Sequence, residues 1–265
     1  MKKVLTIAGS DSCGGAGIQA DIKTMSALGV YGMSVITAVT AQNTLGVLKV
    51  QELSGDIIKE QLKAIFEDIE VDSIKIGMLS STEIIKIVTD SLEKYNAKNI
   101  VIDPVMLSKK LLKEEALIEM KRFIGIGTLV TPNIPEAEVL AHMEIKNEED
   151  IIKAARKIQS FGVKNVLIKG GHREENCTDI LLLENDKIVK FFGRKIEAIN
   201  THGTGCTLSS AIASFIAKGN SIEESVRQGK EYITQAIKNS FSIGEGIGPL
   251  GHFIEIYKKS GIDFE

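Results

Sequence analysis

The sequence predicts an α/β protein with a three-layer arrangement: a mostly parallel central sheet, helices on both faces, and a small antiparallel hairpin at one edge. Three observations carry this expectation. Short apolar, strand-like runs alternate along the whole chain with helical patterns of about 10–20 residues. Strands of that kind belong to sheets covered on both faces. The runs Ile180–Leu183 and Lys187–Phe192 flank Glu184-Asn185-Asp186, which reads as a hairpin instead of a crossover. No repeat, low-complexity stretch or linker divides the 265 residues, so residues 1–265 are expected to form a single domain.

The elements follow in order. Val4–Ala8 is a short apolar strand, and Gly17–Leu28 is a helix closed by Gly29. Ser34–Thr40 is β-branched and strand-like. Ser54 caps a helix whose apolar positions, Ile57, Ile58, Leu62, Ile65, Phe66 and Ile69, recur at helical spacing. Ser73–Ile76 is a strand, Ser81–Tyr95 a capped helix, Asn99–Asp103 a strand and Leu112–Phe123 a helix. Thr128–Thr131 is a strand ending at Pro132, after which Ile134-Pro135-Glu136 opens a helix. Asn147 caps a helix that Gly162 stops, Asn165–Lys169 is a strand, and helices at Cys206–Lys218 and Ser221–Ser240 close the chain.

Composition excludes several classes. A net charge of −3 without long like-charge runs gives no basic footprint for nucleic acid. Met1-Lys2-Lys3 and the apolar run behind it imitate a signal peptide, but Gly9-Ser10-Asp11 ends that run too early. No segment approaches the roughly 18 apolar residues of a membrane span. Cys13, Cys177 and Cys206 are far apart and form no Cys-x-x-Cys pair, which argues against a disulfide framework or a zinc site and for a reducing cytoplasm.

In an open parallel sheet, ligands bind beyond the carboxyl ends of the strands, so the residues directly after each strand hold the candidate chemistry. The densest stretch is Thr201-His202-Gly203-Thr204-Gly205-Cys206 before a helical run. Gly203 and Gly205 permit a tight turn that aims N–H groups at one point at a positive helix end, which suits a phosphoryl group. Cys206 stands at that helix start, where a thiol is expected to lose its proton towards neutral pH and so to serve as a base. A glycine turn before a packed helix, with a buried free cysteine, is the plainer reading and stays open.

After the first strand, Gly9 to Gly17 form a glycine- and alanine-rich loop that a ligand can approach closely, with Gly9 and Ala16 as candidate contacts. Gly15-Ala16-Gly17-Ile18-Gln19-Ala20 matches a dinucleotide fingerprint formally. The acidic residue the fingerprint requires is replaced by Thr40-Ala41-Gln42-Asn43, which argues against a dehydrogenase. Asp21 is either a solvated first-turn carboxylate or a contact for a substrate hydroxyl. Gln42, placed after the second strand, offers an acceptor beside a donor, which complements an aminopyrimidine edge; a solvated loop glutamine is the alternative. Met78, Val105 and Met106 could wall a flat ring or pack in the core. Asp103 directly follows an apolar strand. Asn133 and Glu136 are oxygen donors of the kind Mg²⁺ uses, often through water, and Lys169 at a strand end beside Gly170-Gly171 suits nucleotide phosphates. His172 and His202 read as polar loop residues without chemistry.

Taken together, Thr6-Ile7-Ala8-Gly9-Ser10-Asp11, Gly14 to Asp21, Val35 to Thr44, Lys75 to Met78, Asp103 to Met106, Thr131 to Ala137, Lys169 to His172 and Thr201 to Cys206 resemble the hydroxymethylpyrimidine and phosphomethylpyrimidine kinases of thiamine biosynthesis, within the ribokinase-like superfamily. The resemblance covers nearly the whole chain. It implies a ribokinase-like fold, ATP with Mg²⁺, a homodimer, and two phosphorylations that take the pyrimidine alcohol through its monophosphate to the diphosphate. It implies that Gln42 reads the aminopyrimidine with Gly9, Ala16, Asp21, Met78 and Val105 around it, and that Cys206 is the base. Gly203 and Gly205 would hold the transferred phosphoryl group. Lys169, Asp103, Asn133 and Thr204 would serve the nucleotide, with Glu136 and Asp103 reaching magnesium through water. One departure stands out. Leu107-Ser108-Lys109-Lys110-Leu111-Leu112 is shorter than the family's flexible flap and lacks its glycine, which puts closure over substrate in question. The rivals are a pyridoxal or pyridoxine kinase of the same family and a non-catalytic pyrimidine-binding protein.

Overall fold

The structure is a computed structural model that describes residues 1–105, 114–170, 178–193, 196 and 198–261. The shortened flap, His172 and Cys177 lie outside the described residues. The strands are β1 (Lys3–Asp11), β2 (Tyr31–Asn43), β3 (Gly46–Glu52), β4 (Ser73–Ile76), β5 (Ile100–Ile102), β6 (Leu129–Val130), β7 (Asn165–Ile168), β8 (Asp179–Leu182) and β9 (Ile188–Phe191). The helices are α1 (Gly17–Ala27), α2 (Gly55–Phe66), α3 (Thr82–Lys94), α4 (Glu114–Gly125), α5 (Ile134–Ala141), α6 (Glu148–Gln159), α7 (Thr204–Ala217), α8 (Ile222–Lys238) and α9 (Ile254–Lys259).

One sheet runs in the order β3-β2-β1-β4-β5-β6-β7-β8-β9. The six strands from β2 to β7 pair in parallel, while β3 at one edge and β8–β9 at the other are antiparallel. Successive residues of a strand face opposite layers, as the pleat requires. Ile100 and Ile102 join the core with Ile58, Leu62, Val88, Ile124 and Ile158 from α2, α3, α4 and α6. Val101 between them joins Leu208, Ile212, Val226 and Ile233 from α7 and α8 on the other face. This is the three-layer α/β architecture the sequence predicts.

The chain leaves β1 for β2 on one side and returns to β4 on the other, so strand order reverses at β1. Such a switch point opens a crevice at the carboxyl ends of the strands. Helix α7 lies across β1, β4 and β5 with its N-terminus at that crevice.

Side-chain caps fix several helix starts. Ser81 accepts from the Ile84 N–H, Asn147 from Asp150 and Ser221 from Glu224. Ser54 occupies the N-cap position of α2 without making that bond, and Ile57 on the expected apolar face is 47% exposed. The edge strand β3 and the short α9 carry no sequence expectation. Every residue of β3 is exposed, so burial never imprinted an alternating pattern on it. Pairing with β3 lengthens β2 to Asn43, and Gln42 therefore stands inside a strand opposite Val47, not in a loop. Among the described residues, no helix is long and apolar enough to cross a membrane.

Candidate active site

The first turn of α7 is built by two glycines, each required for a different reason. Gly203 caps the helix at φ 84°, and a Cβ there would collide with the Gly15 carbonyl oxygen. A Cβ on Gly205 would stand 3.3 Å from Asp103 Oδ2 and 3.6 Å from Lys169 Nζ, so its absence lets a charged pair approach the backbone. The Thr204 N–H turns back to the Thr201 carbonyl at 3.3 Å. Helix geometry leaves the Gly205 and Cys206 N–H groups without partners inside the helix, facing the crevice with the positive end of the dipole.

Lys169 Nζ lies 3.0 Å from Asp103 Oδ1. Asp103 is 2% exposed and Lys169 16%, and the pair opens onto a cavity. Burial works against the Lys169 charge, but Asp103 and Glu136 overcome it and hold the ammonium above its ordinary range. Asn133 and Glu136 form a capping box at the start of α5: the Asn133 side chain accepts from the Glu136 N–H at 2.9 Å, and Glu136 accepts from the Asn133 N–H at 2.8 Å. Burial, with some help from Asp103, raises the Glu136 carboxyl above the usual range.

A second charged pair lies deeper. Lys75 Nζ is 2.8 Å from both oxygens of Asp21, and both side chains are fully buried. Thr6 Oγ1 and Ser210 Oγ donate to the same carboxylate at 2.6 and 2.7 Å. This corrects both expectations for Asp21: it is neither solvated nor open to a substrate hydroxyl, because buried donors already occupy both its oxygens. Lys75 was missed, although a lysine inside the run Ser73-Ile74-Lys75-Ile76 signals a buried partner.

Cys206, the third residue of α7, is half-buried at the cavity wall. Burial raises its thiol above the ordinary range. Lys75 and the Gly17 N–H, which donates to the sulfur, pull the other way without prevailing. The expected drop towards neutrality is therefore corrected: the helix start loses to desolvation and to the nearby Asp21 and Asp103 carboxylates.

On the other side of the crevice, Asp11 organises the glycine loop. It is 2% exposed and accepts from the N–H groups of Cys13 at 2.9 Å, Gly15 at 3.0 Å and Ala16 at 2.8 Å. His202 Nε2 lies 2.8 Å from its Oδ2 and 3.2 Å from the Gln42 amide. Burial alone would raise the Asp11 carboxyl. The imidazole and the backbone donors outweigh it and lower the pKa. Sequence reasoning assigned His202 no chemistry; the structure makes it the link between the glycine loop, the end of β2 and the α7 turn. Met78 packs its Cε against Gly9, where any Cβ would collide with it.

A cavity of about 440 Å³ gathers Ala16, Asp103, Val105, Asn133, Glu136, Lys169, Gly203, Thr204, Gly205 and Cys206, all named from sequence, together with Thr201, His202 and Ile247. Gly9, Asp21, Gln42 and Met78 do not line it. Gln42 touches its wall through His202, Gly9 and Met78 sit together behind the loop, and Asp21 lies beneath. A larger groove of about 1590 Å³ shares Asn133, Lys169, Thr201, Thr204 and Gly205 with the cavity and continues past Ile196 and Ala198 along α8.

A family model for phosphomethylpyrimidine kinase matches residues 11–251. A hydroxymethylpyrimidine/phosphomethylpyrimidine kinase from Haemophilus influenzae is 43% identical over 96% of this chain and 97% of its own length. A thiamine biosynthesis bifunctional protein from Geobacter sulfurreducens is 45% identical over 95% of this chain, which spans 52% of that longer protein. Among solved structures, a phosphomethylpyrimidine kinase from Clostridium difficile is 49% identical with a TM-score of 0.79, covering 89% of this chain and all of that one. The ADP complex of Bacillus subtilis pyridoxal kinase is 39% identical with a TM-score of 0.89, covering 95% and 97%. A glycine turn at a helix start, a lysine–aspartate pair and a cysteine thus meet on a scaffold shared with these enzymes, and the chain belongs to the phosphomethylpyrimidine kinase family of phosphotransferases.

Proposed function

We propose that this chain transfers the γ-phosphoryl group of ATP to the hydroxymethyl oxygen of 4-amino-5-hydroxymethyl-2-methylpyrimidine, and then phosphorylates the monophosphate to the diphosphate. The observation that carries the reading is the convergence of Cys206, the α7 turn and the Lys169–Asp103 pair on one cavity continuous with a larger groove. The triphosphate lies along the shared edge of the two, at Asn133, Lys169, Thr204 and Gly205. The pyrimidine lies towards Ala16 and Val105, with its amino edge at Gln42. As the alcohol oxygen attacks phosphorus, Cys206 takes its proton, and the bond from phosphorus to the ADP oxygen breaks. The Gly205 and Cys206 N–H groups and the Lys169 ammonium meet the charge that develops on the phosphoryl oxygens. The raised thiol means that only a fraction of molecules holds the base form at neutral pH. The monophosphate has no alcohol proton to lose, so its phosphorylation does not depend on Cys206 in the same way.

Magnesium is implied by the family, and the donor set fits a loosely held ion. No cluster of three His, Cys, Asp or Glu side chains able to hold a metal exists among the described residues. Asp103 Oδ1 and one Glu136 oxygen are engaged by Lys169 and by the Asn133 N–H. Asp103 Oδ2, with a long 3.4 Å contact to Ser209 Oγ, and the second Glu136 oxygen would reach, through water, an ion carried in by the phosphates, where it would neutralise phosphate charge. The exposed apolar residues Val39, Leu45, Val47, Leu48 and Val50 on the β2–β3 ribbon support a homodimer through this edge; sedimentation of a monomer at micromolar concentration would remove that assignment.

Pyridoxal kinase is the second reading, favoured by the higher TM-score to the Bacillus subtilis enzyme, while the higher identity favours pyrimidine. ADP release across hydroxymethylpyrimidine, its monophosphate, pyridoxal and ribose tests both. The pyrimidine and its monophosphate are expected to turn over fastest. Faster turnover of pyridoxal would replace the proposal, and saturable pyrimidine binding without ADP release would identify a non-catalytic binder.

A further inference from the structure

We propose that His202, oriented by Asp11, is a positioning and specificity residue: it fixes which end of the Gln42 amide, oxygen or nitrogen, is presented to the substrate. The inference rests on the reading of Gln42 as the contact for the pyrimidine edge. It follows from counting protons along one chain of hydrogen bonds.

Asp11 is almost fully buried and already accepts three backbone N–H groups. A carboxylate so placed stays ionised and can only accept, so His202 Nε2, 2.8 Å from it, must carry a proton. The end of the Gln42 amide drawn as Nε2 lies 3.2 Å from the same His202 Nε2, and a half-turn of the amide exchanges its two ends at that place. An NH₂ group there would set donor against donor, whereas the amide oxygen accepts a share of that proton. The other end, drawn as Oε1, lies 3.3 Å from Thr40 Oγ1, which in that orientation would have to donate to it. The single proton of that hydroxyl goes to the Ser10 carbonyl at 2.8 Å, so towards Gln42 the hydroxyl can only accept. An amide nitrogen there completes the pairing. One orientation of the amide therefore satisfies every contact, and the half-turned one satisfies neither.

The donors then run in a single sequence, with His202 donating to both Asp11 and Gln42, Gln42 to Thr40, and Thr40 to Ser10. What remains on Gln42 for a ligand is one oxygen lone pair on the His202 side and one N–H on the Thr40 side. That order matches an amino group beside a ring nitrogen. A hydroxypyridine, which offers no amino donor next to a ring-nitrogen acceptor, does not match it. The imidazole is itself fixed: it packs where a Gly15 Cβ would be, and the His202 N–H donates to the Gly248 carbonyl at 3.3 Å.

Steady-state kinetics with hydroxymethylpyrimidine and with pyridoxal test the proposal. His202→Phe keeps the ring over Gly15 but removes the N–H. It should raise KM for the pyrimidine about tenfold, change kcat little, and leave KM for pyridoxal unmoved. His202→Gln, which returns an N–H near the same place, should recover most of the loss. In a Gln42→Ala background, His202→Phe should add nothing. If His202→Phe does not fold, His202→Ala carries the same expectation. Unchanged substrate preference in His202→Phe, or an equal fall of kcat on both substrates, overturns the proposal while leaving Gln42 in its role. Unchanged preference in Gln42→Ala overturns the Gln42 reading, and the proposal with it.

Discussion

Lys75 meets Asp21 at 2.8 Å and Lys169 meets Asp103 at 3.0 Å, both beneath the first turns of α7, yet the two pairs do different work. The first is sealed on every side, and Thr6 and Ser210 donate to the remaining lone pairs of its carboxylate. The second sits on the cavity wall, where, among the described residues, the Asp103 side chain has beyond its lysine only long contacts at 3.4 Å to Thr131 and Ser209. A fully satisfied buried pair fixes geometry, because moving either charge strands the other. A pair with open valences can exchange partners with a ligand. Cys206 lies between the two and feels Lys75, Asp21 and Asp103 at once.

The largest effect should come from that sulfur. Cys206→Ala is expected to slow phosphorylation of the alcohol about 10²–10⁴-fold, the share of a positioned base, with a smaller effect on the monophosphate. In the unaltered protein, the alcohol reaction should accelerate as pH rises through 7 to 9. The raised thiol is protonated at the low end, and the base form grows as pH climbs towards its pKa. A flat profile, or near wild-type turnover in Cys206→Ala, would take the base assignment away.

Breaking the sealed pair comes next. Lys75→Met leaves Asp21 buried and unpaired and should cost about 3–5 kcal/mol in urea unfolding. The double variant Lys75→Met, Asp21→Leu should regain most of this, since no charge is stranded. A single variant of wild-type stability would show that the pair is not enclosed as described. The open pair should respond the other way. Lys169→Met is expected to raise KM for ATP about 10–100-fold, the worth of a charge-assisted bond to phosphate, with a much smaller loss of stability than Lys75→Met. If the two lysines behave alike, the distinction between a structural and a ligand-facing pair fails.

The parallel core was legible because burial on both faces leaves a strong imprint: Ile74, Ile76, Val101 and Leu167 are apolar for packing reasons alone. The rim residues were legible as well, since Asp103, Asn133, Glu136, Lys169, Gly203, Gly205 and Cys206 follow strands or open helices where packing does not explain them, and all line one cavity. Edge strand β3 was not legible, because nothing buries it. Asp21 and Lys75 were misread or missed for a shared reason. They stand 54 positions apart, on α1 and β4, and neither residue alone reveals that the other neutralises it.

By itself the sequence determined which residue types stand at the ends of the strands, how many layers the chain forms and where its glycines must bend. Those are local properties, set by periodicity and by backbone freedom. Only the tertiary structure decided that burial holds the Cys206 thiol above its ordinary range, that Asp21 is walled in, and that His202 reaches both Asp11 and Gln42. Protonation and amide orientation depend on the distances to charges and donors brought together from far along the chain, and on how much water is excluded where they meet.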